Sequence, residues 1–200
     1  MIQHLRPALV LMALFTALTG IAYPLAITGL AGLVAPYAAQ GSLLTSNGVV
    51  VGSDLIGQSF AAPRYFHPRL SATSAPDPAD DTKTIDAPYN AANSSGSNLG
   101  PLSQKLIERV KGDVDALRDE GVTAISADAV TTSGSGLDPH VSPETAMMQA
   151  PRVARERGLP ETTIRDLVKT HVEGRLFGIL GEPRVNILRL NMALDLLKSP

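Results

Sequence analysis

The chain predicts a single N-terminal transmembrane helix followed by one mixed α+β soluble domain. Three observations lead there: an uncharged apolar run from Pro7 to Val34, a longer polar remainder in which helix and strand signals alternate, and the complete absence of cysteine. A helix of about 20 apolar residues crosses the hydrocarbon core, so the run is long enough even when tilted. Inside a bilayer every peptide group must be satisfied within the segment, which forces a helix. Pro24, Gly20 and Gly29 would weaken a soluble helix and are tolerated in a membrane one. A cleaved signal peptide has a shorter apolar core, about 7–15 residues, ending in an A-x-A-like site. No such site occurs between Ala8 and Gly41.

Charge sets the expected orientation. Arg6 precedes the helix, with His4 beside it, whereas the first charge after Val34 is Asp54 and the first cation is Arg64. Only cations within about 15–20 residues of a membrane segment count, and they favour the cytoplasmic side. The expected organisation is therefore a cytoplasmic N-terminus at 1–6, a membrane helix at 7–34, and a soluble domain at 35–200 outside. In a bacterial cell that places the domain in the periplasm, anchored in the inner membrane.

Composition narrows the classes of function. The net charge of −2 gives no electrostatic case for nucleic acid. Without cysteine, neither a disulfide framework nor a thiolate metal site exists. Trp is absent and aromatics are few, which argues against a base-stacking platform.

The elements follow in order. Asn47-Gly48 between two apolar stretches predicts a hairpin with strands near Leu43–Thr45 and Val49–Gly52. Arg64 to Arg69, RYFHPR, reads as a surface loop with aromatic and basic side chains lying over apolar neighbours. Residues 71–100, rich in Ser, Ala, Asp, Pro, Asn and Gly, read as a long loop or a partly disordered segment. Asp81-Thr82-Lys83-Thr84 has the wrong order, and lacks the glycine, for the D-K-T-G phosphorylation motif of P-type pumps. From Pro101 to Glu120, Leu102, Leu106, Ile107, Val110, Val114 and Leu117 share one helical face. Asp113 and Asp115 belong to its solvated side, and Gly121 ends it. Ala129 to Thr132 predicts a short strand. Ser142-Pro143-Glu144 starts a helix with good N-cap and N1 residues, reaching Gly158, with Pro151 as a kink or restart. Another helix covers about Glu161 to Val172, a strand Val185 to Leu190, and Asn191 caps a last helix from Met192 to Leu197.

The candidate site is Ser133, Gly134, Ser135, Gly136, Asp138 and His140. Two Ser-Gly pairs ahead of a helix form a backbone nest for an anion, or simply a tight turn with positive-φ glycines. The G-K-[ST] of a P-loop is missing, and so is the G-x-S-x-G elbow of a serine hydrolase. A metal at Asp138 and His140 would need at least one more ligand, and His171 or Glu173 could only be recruited by the fold, so no metal and no catalytic residues are expected. On the membrane helix, Ala13, Ala17, Gly20 and Thr28 are small enough for close helix–helix packing.

At this level of detail the sequence resembles a known family, the C subunit of the Kdp potassium-transporting ATPase, a P-type pump. The resemblance is carried by the N-terminal helix, then by Gly52 to Phe60, Tyr65-Phe66, Arg69 to Ala72, Tyr89-Asn90 and Ser95 to Pro101. It is strongest over Asp128 to Pro143 and over Gly174 to Asp195, GRLFGILGEPRVNILRLNMALD. Leu70 stands where the family usually has proline. The resemblance implies a non-catalytic accessory subunit, working with a potassium-conducting subunit, an ATP-hydrolysing subunit and a very small fourth one, in contact with membrane lipid. It implies a role in assembly and activity, traditionally that of a catalytic chaperone raising the ATP affinity of the hydrolysing subunit. ATP then belongs to the complex, K+ is the transported ion, and any nucleotide contact of this chain falls at Ser133–Gly136. The rivals are a membrane-anchored periplasmic hydrolase using Ser133 or Ser135 with His140, and an anchored module that binds a small anion.

Overall fold

The computed structural model describes residues 2–197, apart from the side chains of Ile2 and Asp81. Its contacts divide the chain into two compact units, 1–53 and 54–200.

The first unit is dominated by one helix, Leu5–Val34, uncharged after Arg6 and with none of its residues buried. It runs as α1 (Leu5–Ala17), a wider π turn over Leu18–Ala22, and α2 (Tyr23–Val34). Pro24 explains the wide turn. It has no N–H to donate, and its ring crowds the carbonyl one turn back, so the backbone widens locally instead of breaking. The Thr19 hydroxyl donates to Phe15 O at 2.7 Å, which satisfies one carbonyl entering that turn. A short α3 (Pro36–Ala39) leads into the expected hairpin, β1 (Leu43–Ser46) with β2 (Val49–Ser53). Asn47 and Gly48 take φ of 49° and 78°, the pair of positive values that the turn requires.

The second unit is organised around a three-stranded antiparallel sheet, β5 (His140–Val141), β7 (Arg184–Asn186) and β6 (Val172–Glu173), with β7 central. Three helices build its core: α5 (Pro143–Arg157), α6 (Glu161–Thr170) and α7 (Ile187–Leu196). Ala146, Ala150 and Val153 of α5 meet Ile164 and Val168 of α6, with Ile187, Leu190 and Leu194 of α7 and Phe66 completing the cluster. The small residues on α5 allow close helix approach, and each fully buried Ile, Leu or Phe contributes roughly 1.5–3 kcal/mol. Ser142 caps α5 by accepting from Thr145 N–H at 3.0 Å. Gly158 ends it at φ 64°, as the Ser142-Pro143 and Gly158 signals predict. Pro151 does not restart the helix; α5 is continuous across it.

Four expectations are corrected. The segment 71–100 is not simply a loop, because β3 (Ser74–Asp77) and β4 (Asp80–Asp86) pair as a hairpin. Its order comes from backbone pairing and side-chain amides rather than an apolar face: Asn90 and Asn93 each donate to Ser74 O, at 2.8 and 3.0 Å. The expected strand Ala129–Thr132 is instead a 3-10 turn (Ala127–Ala129) followed by a single parallel bridge between Leu70 and Thr132. The strand expected over Val185–Leu190 stops at Asn186, whose side chain accepts from Arg189 N–H at 3.1 Å and starts α7. Asn191 is therefore not a cap but lies inside α7. Finally, Phe66 is no surface residue: it is fully buried, although Arg64 beside it is exposed and the rest of RYFHPR is half-buried.

That stretch shows how a buried strand-like segment is satisfied without a neighbouring strand. Asn191 accepts from Phe66 N–H at 2.9 Å and donates to Phe66 O at 3.0 Å. Gln149 does the same for His67, at 2.7 and 3.0 Å. Two side-chain amides on two different helices thus supply the hydrogen bonds that a sheet would have supplied. α4 (Gln104–Asp119) is different again: it is amphipathic as expected, yet none of its residues is buried. Asp113 is not simply solvated, since it pairs with Arg109 at 2.9 Å.

Candidate functional site

Residues 133–140 form a loop whose polar groups point back into the second unit. The carbonyl of Gly136 accepts from the Ser71 hydroxyl at 2.8 Å, and that of Ser135 accepts from Ser94 at 3.0 Å. The carbonyls of Leu137 and Pro139 accept from Gly57 N–H at 2.8 Å and Ile187 N–H at 2.9 Å. Ser133 is buried, and its N–H donates to Leu70 O at 3.1 Å. The Ser135 hydroxyl turns onto its own chain and accepts from Leu137 N–H at 3.1 Å.

Two glycines are required by close approach. Gly136 has φ 67°, and a Cβ there would collide with the Thr73 methyl and stand 2.6 Å from Ser95 O. A Cβ on Gly57, whose N–H bonds to this loop, would collide with the Tyr89 ring and stand 2.6 Å from Asp138 O. The glycines serve to bring segments 57, 71–73, 94–96 and 133–138 against one another.

Asp138 is the electrostatic centre of the loop. One oxygen takes Arg69 Nη1 at 3.1 Å; the other accepts from His140 N–H at 3.0 Å and lies 3.5 Å from His140 Nδ1. Burial alone would raise its carboxyl, but the bonds from His140 and Arg69 outweigh burial and hold it below the ordinary Asp range. His140 Nε2 faces Glu173 at 4.0 Å, which in turn takes Arg184 Nε at 3.0 Å. The phenol of Tyr89 donates to Arg69 O at 2.7 Å, and burial together with the Asp138 charge raises it well above the ordinary tyrosine value. The result is a chain of polar side chains that joins Arg69, Asp138, His140, Glu173 and Arg184 across the β5–β7–β6 sheet.

The start of α5, which follows the loop, already holds an anion of its own. Asp128 accepts from Ser142 N–H at 2.7 Å, from the Ser142 hydroxyl at 2.9 Å and from the Thr145 hydroxyl at 2.7 Å. Burial pushes this carboxyl up, and the bonds from Ser142, Thr145 and Ser126 more than reverse that. The place where an anion would meet the helix dipole is filled by the chain itself.

The structure thus brings Asp138 and His140 together, whereas Ser133 is tied through its N–H to Leu70 O and the Ser135 hydroxyl to Leu137 N–H. Among the described residues no group of three or more His, Cys, Asp or Glu is arranged to hold a metal. Arg69, Tyr89 and Glu173 join the network from distant parts of the chain, and only the fold brings them to Asp138 and His140. A separate cleft of about 620 Å³ lies between α4 and α5, edged by His67, Glu120, Arg152 and Arg155 among others. On the membrane helix, Ala13 and Ala17 precede the wide turn, Gly20 lies inside it, and Thr28 follows it; all four are exposed. A Cβ on Gly20 would meet nothing within 4 Å.

The comparisons with known proteins place this geometry. The family model described as "KdpC: K+-transporting ATPase, c chain" matches residues 5–196. The chain belongs to this family. Relatives named potassium-transporting ATPase KdpC subunit include one from Methylobacterium nodulans, 62% identical over 196 residues, which are 98% of each chain. A relative from Bradyrhizobium diazoefficiens is 59% identical over 196 residues, again 98% of each chain. One from Methylorubrum populi is 62% identical with the same coverage. As a KdpC chain it is one subunit of a potassium-transporting ATPase complex, with one helix long and apolar enough to span a membrane.

Proposed function

We propose that this KdpC chain is a non-catalytic accessory subunit that holds the potassium pump together, anchored by Leu5–Val34 with its N-terminus in the cytoplasm and its soluble part on the outer, periplasmic side. The observation that carries the reading is the 30-residue apolar helix with Arg6 at its start and no cation beyond its end until Arg64. Its partners are the conducting, hydrolysing and small fourth subunits, together with membrane lipid. Ala13, Ala17, Gly20 and Thr28 offer a face to the membrane helices of those subunits. The Ser133–His140 loop supports the same reading, because its groups are spent on binding segments of the chain to one another. The hydrolase reading, in which Ser133 or Ser135 works with His140, would need a hydroxyl hydrogen-bonded to the imidazole.

The traditional role, raising the ATP affinity of the hydrolysing subunit, then acts through the assembled complex and not through nucleotide held on this chain. The test is the side of the membrane on which the soluble part lies. The chain has no cysteine, and Ala92 is exposed, with its N–H donating to Asn90 Oδ1. Ala92→Cys is expected to react with an impermeant thiol reagent in intact spheroplasts. Reaction only after lysis would overturn the orientation and make direct nucleotide contact the better account.

A further inference from the structure

The turn that follows β6 spends its residues in the opposite way from the 133–140 loop. Leu176 and Leu180 exchange backbone hydrogen bonds at 2.9 and 3.0 Å, and between them Ile179 N–H closes onto Leu176 O at 3.2 Å. Phe177 and Gly178 have φ of 53° and 75°. Two successive positive values are what Asn-Gly or Gly-Gly ordinarily supplies in a tight turn. A phenylalanine in the left-handed region is strained, and this one is also 83% exposed. Leu176, Ile179 and Leu180 beside it are each more than half exposed, and none of the four belongs to the hydrophobic core. Strain and exposed apolar surface both oppose this residue in the isolated chain, so its benefit must lie outside the chain.

The charges around the turn indicate what that benefit is. Arg175 pairs with Glu182 at 2.6 Å, and Arg184 pairs with Glu173 at 3.0 Å. The collar is neutral and internally compensated, so no cation is left over for the phosphates of anionic lipid. Four adjacent side chains so exposed make a convex tip, and two such tips facing each other would bury little of one another. The chain's own cleft is a poor receptor, since Glu120, Arg152 and Arg155 edge it. An apolar tip inside a neutral polar rim is the usual composition of a buried anchor in a protein interface.

We propose that Leu176, Phe177, Ile179 and Leu180 form a plug that inserts into an apolar hollow on another subunit of the potassium-transporting ATPase complex. This rests on the accessory-subunit reading above. The experiment uses the full chain co-expressed with the rest of the complex. With the photoreactive p-benzoylphenylalanine in place of Phe177, irradiation of native membranes is expected to cross-link the chain to another subunit. Phe177→Asn keeps a residue at ease with positive φ, and it is expected to lower the partner subunits retained on the affinity-tagged chain at least ten-fold, with the chain's melting temperature unchanged or higher. Ile179→Ser is expected to lower retention in the same direction. Cross-linking to lipid, to a second copy or to nothing, or full retention by Phe177→Asn, would overturn the plug. A wild-type chain that retains no partners would instead refute the accessory-subunit reading itself.

Discussion

Two glycine-punctuated turns of this protein, 133–140 and 174–183, behave as opposites. The first carries the residues a chemist would pick, two serines, an aspartate and a histidine, and turns them inward. Its carbonyls accept from Ser71, Ser94, Gly57 and Ile187, and its carboxylate holds Arg69. The second carries leucines, an isoleucine and a phenylalanine, and displays them to solvent. The difference shows that residue type does not locate function. Polar groups satisfied by the rest of the chain are architecture, whereas apolar groups left unsatisfied by it imply a partner.

The comparison breaks most readily at Gly136. Alanine there must take a left-handed conformation and push aside the Thr73 methyl and Ser95 O, at a cost of about 3 kcal/mol. Urea unfolding of the purified chain reads this directly, and an undisturbed midpoint would mean that the loop is not a clamp. Asp138→Ala comes next. It leaves the half-buried Arg69 guanidinium without its carboxylate and removes the acceptor for His140 N–H, costing about 2 kcal/mol. His140→Ala should cost less than Asp138→Ala, because Asp138 still keeps Arg69.

Acid sharpens the same contrast. Asp128 and Asp138 both have folded-state values below the ordinary Asp range. Their contribution is therefore complete above the unfolded-state value, near pH 4, and is lost as pH falls through the lower folded-state values. Stability measured between about pH 5 and pH 2.5 should fall less steeply in Asp128→Asn than in the wild type. Asp128→Asn itself should cost about 1 kcal/mol at neutral pH, as loss of a helix cap does. An effect of the opposite sign belongs to the outer turn. Phe177→Asn should raise stability by up to about 1 kcal/mol, because asparagine tolerates the left-handed conformation that phenylalanine does not. Gly20→Leu, which meets nothing within the chain, should leave the soluble part unchanged and weaken only co-purification with the pump's membrane helices.

The same physics decides how much was legible in the sequence. The long apolar helix, the Asn47-Gly48 hairpin and both ends of α5 were readable because each is fixed by neighbours in sequence: an uncharged run, two turn residues, a cap and a terminal glycine. The β7–α7 boundary was not. Val185 to Leu190 is apolar enough for either a strand or a helix, and both Asn186 and Asn191 are plausible caps by type. Tertiary demand decides between them, since the Phe66 backbone needs the Asn191 amide. The hairpin at β3 and β4 was hidden because its order comes from backbone pairing and from Asn90 and Asn93, with little apolar patterning. At the candidate site, Ser133 to His140 could be named in advance, but Arg69, Tyr89, Gly57 and Glu173 arrive through the fold alone.

The measurement that tests the account most directly sets Gly136→Ala and Phe177→Asn side by side in the co-expressed complex. It records the melting temperature of each chain and the partner subunits retained per folded chain. The account predicts that Gly136→Ala melts lower, by roughly 6–12 °C, while the folded fraction keeps its partners, and that Phe177→Asn melts no lower while losing them. The reverse pattern, lost partners with intact stability for Gly136→Ala and full retention for Phe177→Asn, would contradict it.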